Sequence, residues 1–287
     1  MKRRKFVKKS FQWILGLGAL VGLYSWQIEP FWLEFVRLKM PIKNLPKELV
    51  GKTLMQISDI HVGDAFDYQY IIDSFKEAQK LNPEFVVYTG DYVSYETDRQ
   101  LTQLAEVLKY VVKGSLGTVA ILGNHDYGID YKEERVATAI TSQLENSGVT
   151  VLRNQSVELN GINFLGIDDL WGLNFYPREA TKGYNEHKPN IALCHNPDVC
   201  DLSVWNGFQG WILSGHTHGG QVKPPFLPPP LLPVENRRYT AGVFDLYDGR
   251  MLYINRALGC LLKVRLNVRP EITIFELVKD TGSKLYS

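Results

Sequence analysis

Cysteine is scarce in this 287-residue chain, which has three, Cys194, Cys200 and Cys260. So small and odd a number cannot build a disulfide framework, and the three are read as buried thiols. The fold must then be held by its core, which a chain of this length can supply. Charge of one sign is not in excess either, with 32 Lys and Arg against 31 Asp and Glu. Six of the cations, Lys2, Arg3, Arg4, Lys5, Lys8 and Lys9, fall within residues 1–25, which hold no acid. Taking those six from the net charge of +1 leaves −5 for the remainder. A mildly acidic body lacks the basic stripe that nucleic acid demands, so a nucleic-acid partner is not expected. There is no internal repeat, and composition close to the globular average excludes disordered, collagen-like and coiled-coil chains.

The apolar run from Phe11 to Trp26, interrupted only by small residues and Gln12, is shorter than the roughly 20 residues of a spanning helix. A basic start followed by such a run reads as a targeting segment, outside the fold. Arg3-Arg4-Lys5-Phe6-Val7-Lys8 resembles the twin-arginine export signal, and no small-x-small cleavage site is evident near Gly18 to Ser25. The expectation is an exported, retained anchor over residues 1–26, a linker over 27–48 and one domain over 49–287. That places the body at the extracytoplasmic face of the cell membrane or envelope.

Within the body, Thr53–Ser58, Phe85–Tyr88 and Thr118–Leu122 read as short buried strands. Tyr68–Leu81, Leu101–Val112 and Tyr131–Glu145 have the apolar spacing of amphipathic helices. This alternation predicts a βαβ layer with a mostly buried sheet. In the second half, Asn160-Gly161 and Asp248-Gly249 predict hairpins between Val157–Leu159 and Ile162–Leu165, and between Val243–Tyr247 and Met251–Ile254. Ile191–His195, Trp211–Gly215 and Ile272–Leu277 add further strands. The expected architecture is α/β, with two sheets packed face to face and helices outside, an α-β-β-α sandwich.

Residues able to do chemistry gather at the strand ends: Asp59 and His61, Gly90-Asp91, Gly123-Asn124-His125-Asp126, His195, and Gly215-His216-Thr217-His218. Only His187 of the six histidines lies elsewhere, in a polar loop where it reads as solvated. In α/β sheets ligands bind beyond the carboxyl ends of the strands, so five loops can converge there. Carboxylate, imidazole and one amide oxygen suit borderline divalent metals, Mn, Fe or Zn, and not soft thiolate or all-oxygen sites.

In order and spacing this series resembles the calcineurin-like metallophosphoesterases over about residues 52–278. His218-Gly219-Gly220-Gln221, the proline-rich stretch behind it, and Tyr253-Ile254-Asn255-Arg256 through Arg269-Pro270-Glu271 resemble a membrane-associated bacterial subgroup. That subgroup includes twin-arginine-exported phosphodiesterases and UDP-diacylglucosamine pyrophosphatases. The resemblance implies two divalent metal ions, one on Asp59, His61 and His218, the other on Asn124, His195 and His216, with Asp91 bridging. It implies that His125 faces the substrate as a proton donor or charge stabiliser, with Asp126 orienting its ring. Arg256 reads either as an extra phosphate-binding cation or as a surface or ion-paired arginine. The sequence departs from the Gly-Asp-x-x-Asp form of the second motif, since Asp91 is followed by Tyr92, Val93, Ser94 and Tyr95.

Pro224 to Pro233 has too many prolines for a sheet and too little period for a core, which leaves a lipid contact or a loop packed on the body. Trp171, Phe175 and Tyr176 read either as lining of the same region or as core. The expected activity is hydrolysis of a phosphodiester or pyrophosphate bond, in a lipid-linked or envelope substrate such as UDP-diacylglucosamine. A general phosphodiesterase or nuclease, and a non-catalytic metal-binding scaffold, are the alternatives.

Overall fold

The computed structural model describes residues 2–64 and 66–282. Met1 and residues 283–287, the ends of the expected anchor and domain, lie outside the described residues.

Two six-stranded sheets pack face to face. The first contains β1 (Glu34–Ile42), β2 (Thr53–Ile57), β3 (Phe85–Thr89), β4 (Gly117–Ile121), β5 (Thr150–Val151) and β12 (Glu271–Lys279), in the order β1-β12-β2-β3-β4-β5. The second contains β6 (Gln155–Leu159), β7 (Ile162–Gly166), β8 (Asn190–Leu193), β9 (Gly210–Ser214), β10 (Gly242–Asp245) and β11 (Arg250–Ile254), in the order β10-β11-β9-β8-β7-β6. Both are mixed: β2, β3, β4 and β5 are parallel, as are β7, β8, β9 and β11, and an antiparallel step joins β12 to β2.

Strand alternation divides the core. Leu54, Phe85, Val87, Val119 and Ile121 face Phe164, Ile191, Leu193, Trp211 and Leu213 between the sheets. Met55, Ile57, Val86, Tyr88 and Ala120 turn the other way, onto α2 (Tyr68–Gln79), α3 (Asp98–Leu108) and α4 (Glu134–Asn146). A strand buried on both faces must be apolar at every position, as β3 is. The outer face of the second sheet is covered more thinly, by α5 (Pro177–Thr181) and a 3-10 turn at Pro197–Asp201, with Trp205 and Phe208 beneath.

Local chemistry explains most boundaries. Asp67 caps α2, and Thr97 with Gln100 forms a capping box that starts α3 ahead of the expected Leu101. Asn160 and Gly161 both take positive φ, 45° and 87°, the type I′ pattern. The Asp248-Gly249 hairpin is different: Asp245 pairs with Met251, and Tyr247 and Gly249 carry the positive φ, so the loop is longer than two residues. α4 begins three residues after the expected Tyr131, because Asp130 and Tyr131 sit at positive φ in a tight turn.

The expected linker is corrected. Residues 34–42 form β1, an edge strand parallel to β12 from Glu34↔Glu271 to Ile42↔Lys279. It contains Pro41, which an edge strand tolerates because a residue that cannot donate is harmless there. Before β1, α1 (Lys2–Gln27) carries exposed Phe6, Phe11, Trp13, Ile14, Leu17 and Leu20.

Candidate metal centre

Each expected ligand follows the carboxyl end of a strand in the parallel part of its sheet: Asp59 and His61 after β2, Asp91 after β3, Asn124 after β4, His195 after β8, His216 and His218 after β9. Face-to-face packing brings the ends of β2–β4 against those of β8 and β9, and all seven side chains are buried. Two clusters result, Asp59 with His61 and His218, and Asp91 with His195 and His216, the ligand atoms of each within 4.8 Å of one another.

In the first cluster His61 Nε2 lies 3.0 Å from His218 Nε2, which lies 3.2 Å from Asp59 Oδ1. In the second His195 Nε2 is 3.2 Å from His216 Nδ1 and 3.1 Å from Asp91 Oδ2. Asp91 Oδ2 is also 3.6 Å from His61 Nε2, so one oxygen faces both clusters. The other, Oδ1, accepts the His125 N–H at 2.9 Å.

The far nitrogen of each ring fixes its tautomer. His195 Nδ1 must donate to the Thr89 carbonyl at 2.7 Å, His218 Nδ1 to Gln221 Oε1 at 3.1 Å and His216 Nε2 to the Pro233 carbonyl at 2.8 Å. Lone pairs on His195 Nε2, His218 Nε2 and His216 Nδ1 therefore point inward. His61 Nδ1 meets Ser94 Oγ at 3.2 Å. Ser94 stands where the Gly-Asp-x-x-Asp motif has its second carboxylate, and its hydroxyl occupies that supporting place.

The donor set fits two divalent cations. Imidazole lone pairs aimed at one another would be idle without an acceptor between them, and Asn124 Oδ1 is buried without a hydrogen-bond partner. Electrostatics agree. Burial pushes the Asp59 carboxyl up, but His195 and His218 outweigh it and hold it at about 2. Burial lowers His61 and takes His216 to about 3, keeping both neutral. Burial also opposes charge on His195, yet Asp91 and Asp59 raise its pKa well above the ordinary value, so the two carboxylates draw positive charge to the place that His195 Nε2 faces.

The remaining expected site residues are placed differently. Asp126 does not orient the His125 ring: its carboxylate accepts the backbone N–H groups of Asp91 (2.9 Å), Tyr92 (2.7 Å) and Gly123 (2.8 Å). Burial and Asp91 push its pKa up, against the pull of those donors. His125 is half-buried at the rim, edge-on to His61 and Tyr131. Arg256 is already compensated, pairing with Glu271 and, at 2.9 Å, with Glu34, so no free charge is presented to a phosphate. His187 is exposed as expected.

Of the three aromatics expected as lining or core, Trp171 reaches the site and the other two do not. Trp171 meets His216 edge-on, with ring centroids 4.6 Å apart, and stacks on Tyr131 at 6.0 Å. Phe175 packs beneath the second sheet, and Tyr176 is exposed. Asp169 is buried, with Oδ2 unpartnered; burial first and Asp91 second push its pKa up to about 7.

Paired clusters of imidazole and carboxylate at the strand ends of two packed sheets define a metal-dependent phosphoesterase. A model of the calcineurin-like phosphoesterases matches residues 52–220, more than half of the chain, and the chain belongs to that family. It is 29% identical to phosphodiesterase YaeI of Escherichia coli K12, over 97% of this chain and 100% of that one. Identity is 30% to the metallophosphoesterase YkuE of Bacillus subtilis, over 96% and 98% of the two chains. It is 28% to the UDP-2,3-diacylglucosamine pyrophosphatase LpxG of Chlamydia trachomatis, again over 96% and 98%.

Proposed function

We propose that this phosphoesterase cleaves a phosphodiester or pyrophosphate bond in a lipid-linked envelope substrate such as UDP-diacylglucosamine, using two ions of Mn, Fe or Zn, at the extracytoplasmic face of the cell membrane. The observation that carries the hydrolytic reading is the pair of donor clusters sharing Asp91 Oδ2. Asp59, His61 and His218 would hold one cation and Asn124, His195 and His216 the other. When bound, such a pair supplies Lewis acidity toward phosphoryl oxygens and makes water acidic enough to serve as nucleophile near neutral pH.

The chain's own groups do the rest. His125, at the rim and edge-on to the ligand His61, is placed to give a proton to the departing oxygen. Trp171 and Tyr131 form a stacked wall that shields one side from water and offers a flat face to a planar group. Similarity to LpxG supports a lipid-linked pyrophosphate. So does α1, whose apolar side chains stand exposed. Among the described residues no helix is long and apolar enough to cross a membrane; the apolar run of α1 spans about 24 Å at 1.5 Å per residue, and α1 is read as membrane-associated.

The test is hydrolysis by the metal-reconstituted full chain of p-nitrophenyl diesters and monoesters, UDP-diacylglucosamine in mixed micelles, and DNA. Preference for the lipid-linked pyrophosphate is expected; preference for DNA would establish a nuclease, and inactivity of a chain holding two metals a scaffold. For location, Arg3→Lys with Arg4→Lys should trap the folded protein in the cytoplasm. Normal export of that variant refutes the twin-arginine route.

A further inference from the structure

We propose that the base of α1, the loop Leu261–Val264 and the loop Phe226–Leu231 form one surface that seats on an anionic lipid bilayer and holds the metal centre beside it; this rests on reading α1 as membrane-associated. The three segments are distant in sequence but joined by backbone. The Arg265 N–H donates to the Ser25 carbonyl of α1 at 2.9 Å. Lys223 N–H donates to the Leu266 carbonyl at 2.8 Å, Val222 bridges Leu266, and the Asn267 amide donates to the Lys223 carbonyl at 2.9 Å. A fully buried Arg265 locks the assembly from beneath through the carbonyls of Arg256, Ala257, Gly259 and Val268.

What this frame presents outward is apolar. Phe226 is completely exposed, Leu231 79% and Leu262 71%, and Trp26 and Trp32 are half-exposed. Soluble surfaces seldom gather such side chains, and a gathering marks a binding face. Cations border it: Lys223 is exposed, the Lys263 ammonium lies 4.9 Å from the Phe31 ring and 5.6 Å from Trp26, and the Arg269 guanidinium stacks 4.2 Å over Trp32. Arg269 is also held by the Trp32 and Leu33 carbonyls, both at 3.0 Å, so it fixes a positive charge at the patch edge. Tryptophan at the edge of an apolar patch bordered by basic groups is the chemistry of an anionic lipid interface. The surface is continuous with α1, which is exposed and apolar and begins with a basic run. A bilayer therefore accounts for both.

The surface also touches the site. Gln221 uses its amide N–H to bind the Leu262 and Val264 carbonyls, both at 3.0 Å, and its Oε1 to receive the His218 Nδ1–H. Arg265 holds the Gly259 carbonyl while the Gly259 N–H donates to the Asp59 carbonyl at 2.8 Å. Two ligands of the first cluster, His218 and Asp59, are thus braced from the seat, and the second-cluster ligand His216 is held by Pro233 at the end of the proline-rich loop.

The experiment uses the full chain with single cysteines introduced by Phe226→Cys, Leu262→Cys and, as control, Tyr247→Cys. Tyr247 is exposed in the β10–β11 hairpin, beside the amino end of β9 and away from the ligand loops. The native cysteines are buried, so a spin label attaches selectively. On vesicles of phosphatidylcholine and phosphatidylglycerol, labels at 226 and 262 should collide several-fold more with oxygen dissolved in lipid than with a water-soluble nickel chelate, while the label at 247 stays wet. A chain that floats with the vesicles while 226 and 262 remain as wet as 247 overturns the seat and leaves the reading of α1 intact. A chain that does not float overturns both. Shielding without vesicles, together with doubled mass, would assign the face to a second copy of the chain and likewise overturn the proposal. Hydrolysis of a soluble diester, assayed in parallel, reports on the phosphoesterase reading separately.

Discussion

Replacing Asp91 should empty both halves of the centre, because one of its oxygens serves both. Oδ1 is committed to the His125 N–H, leaving Oδ2 to face His195 Nε2 at 3.1 Å and His61 Nε2 at 3.6 Å. Two unit charges 4 Å apart at an effective dielectric of 20 attract by about 4 kcal/mol, which is about a thousandfold in affinity at 1.4 kcal/mol per tenfold. A divalent ion at bonding distance feels more, so Asp91→Ala should lose at least that factor for each cation. Elemental analysis after dialysis should find two metals per wild-type chain and close to none in the variant, with Asp59→Ala as a contrast that keeps the second cluster's donors. Gly123→Ala presses on the same carboxylate without removing a ligand. Its Cβ would stand 2.3 Å from Asp91 Oδ1 and 2.6 Å from the Asp91 backbone nitrogen, so the carboxylate and the loop that carries it must both shift, while its φ of −109° costs nothing, and an intermediate metal loss should follow. Two metals retained by Asp91→Ala, or a single metal lost, refutes the bridge.

His125→Gln should slow poor leaving groups far more than p-nitrophenolate while both metals remain; loss of metal together with activity would make His125 a ligand. Arg256→Met should destabilise the fold by about 2–3 kcal/mol, because buried Glu271 loses a partner that is itself partly exposed. Its KM should stay at the wild-type value, and unchanged urea stability with a raised KM would return Arg256 to the substrate. For the metal-free protein, His195 keeps its proton well above the 6.5 of an unfolded histidine, and Asp169 keeps its own to about 7. From pH 6.5 upward the folded chain therefore binds more protons than the unfolded one, and stability should fall as pH rises, by about 1.4 kcal/mol per unit for His195, with Asp169 adding to the fall only up to about pH 7. His61 and His216, both depressed, act in the opposite sense only below 6.5. Urea midpoints that rise between pH 6.5 and 8 after chelation would contradict this charge arrangement.

The strand-end positions of the ligands were legible because a buried parallel strand reads as a short apolar run, and the polar residues behind it stand out. What sequence could not show were partners fixed by tertiary register. β1 pairs with β12 across more than 200 residues, so nothing local in the sequence marked it as a strand. Arg256 finds Glu34 in that strand and Glu271 in its neighbour, so an apparently free cation is an internal one. Asp126 was misread for the opposite reason: adjacency to His125 suggested partnership, but neighbours in a 3-10 turn point apart. Ser94 was detectable through its place in the motif frame, whereas Trp171 and Asp169 needed the second sheet to bring their loop to the site.

Five of the seven proposed ligands, Asp59, His61, Asp91, His216 and His218, hold positive φ between 45° and 70°. Each such conformation costs a non-glycine residue roughly 1–2 kcal/mol, so together they cost about 5–10 kcal/mol, comparable with the whole stability of a domain. Bound cations cannot be the only compensation, since the loops are tied to one another by the chain itself. Asp59 N–H donates to the Gly90 carbonyl at 2.9 Å, His61 N–H to the Asp91 carbonyl at 3.1 Å, and His216 N–H to Asp59 Oδ1 at 3.0 Å. Asp91 N–H donates to Asp126, which also gathers Tyr92 and Gly123. Asp126 thereby clamps the β3 loop to the β4 loop and sets the angle at which Asp91 presents its bridging oxygen. Its contribution to chemistry is geometric, acting on the carboxylate and not on the imidazole beside it in sequence. Asp126→Asn should accordingly weaken metal binding and lower stability, because an amide oriented to accept from one donor turns its own N–H toward another. The relative rates on good and poor leaving groups should stay as in the wild type, since His125 is untouched; a selective loss on poor leaving groups would restore Asp126 to the imidazole.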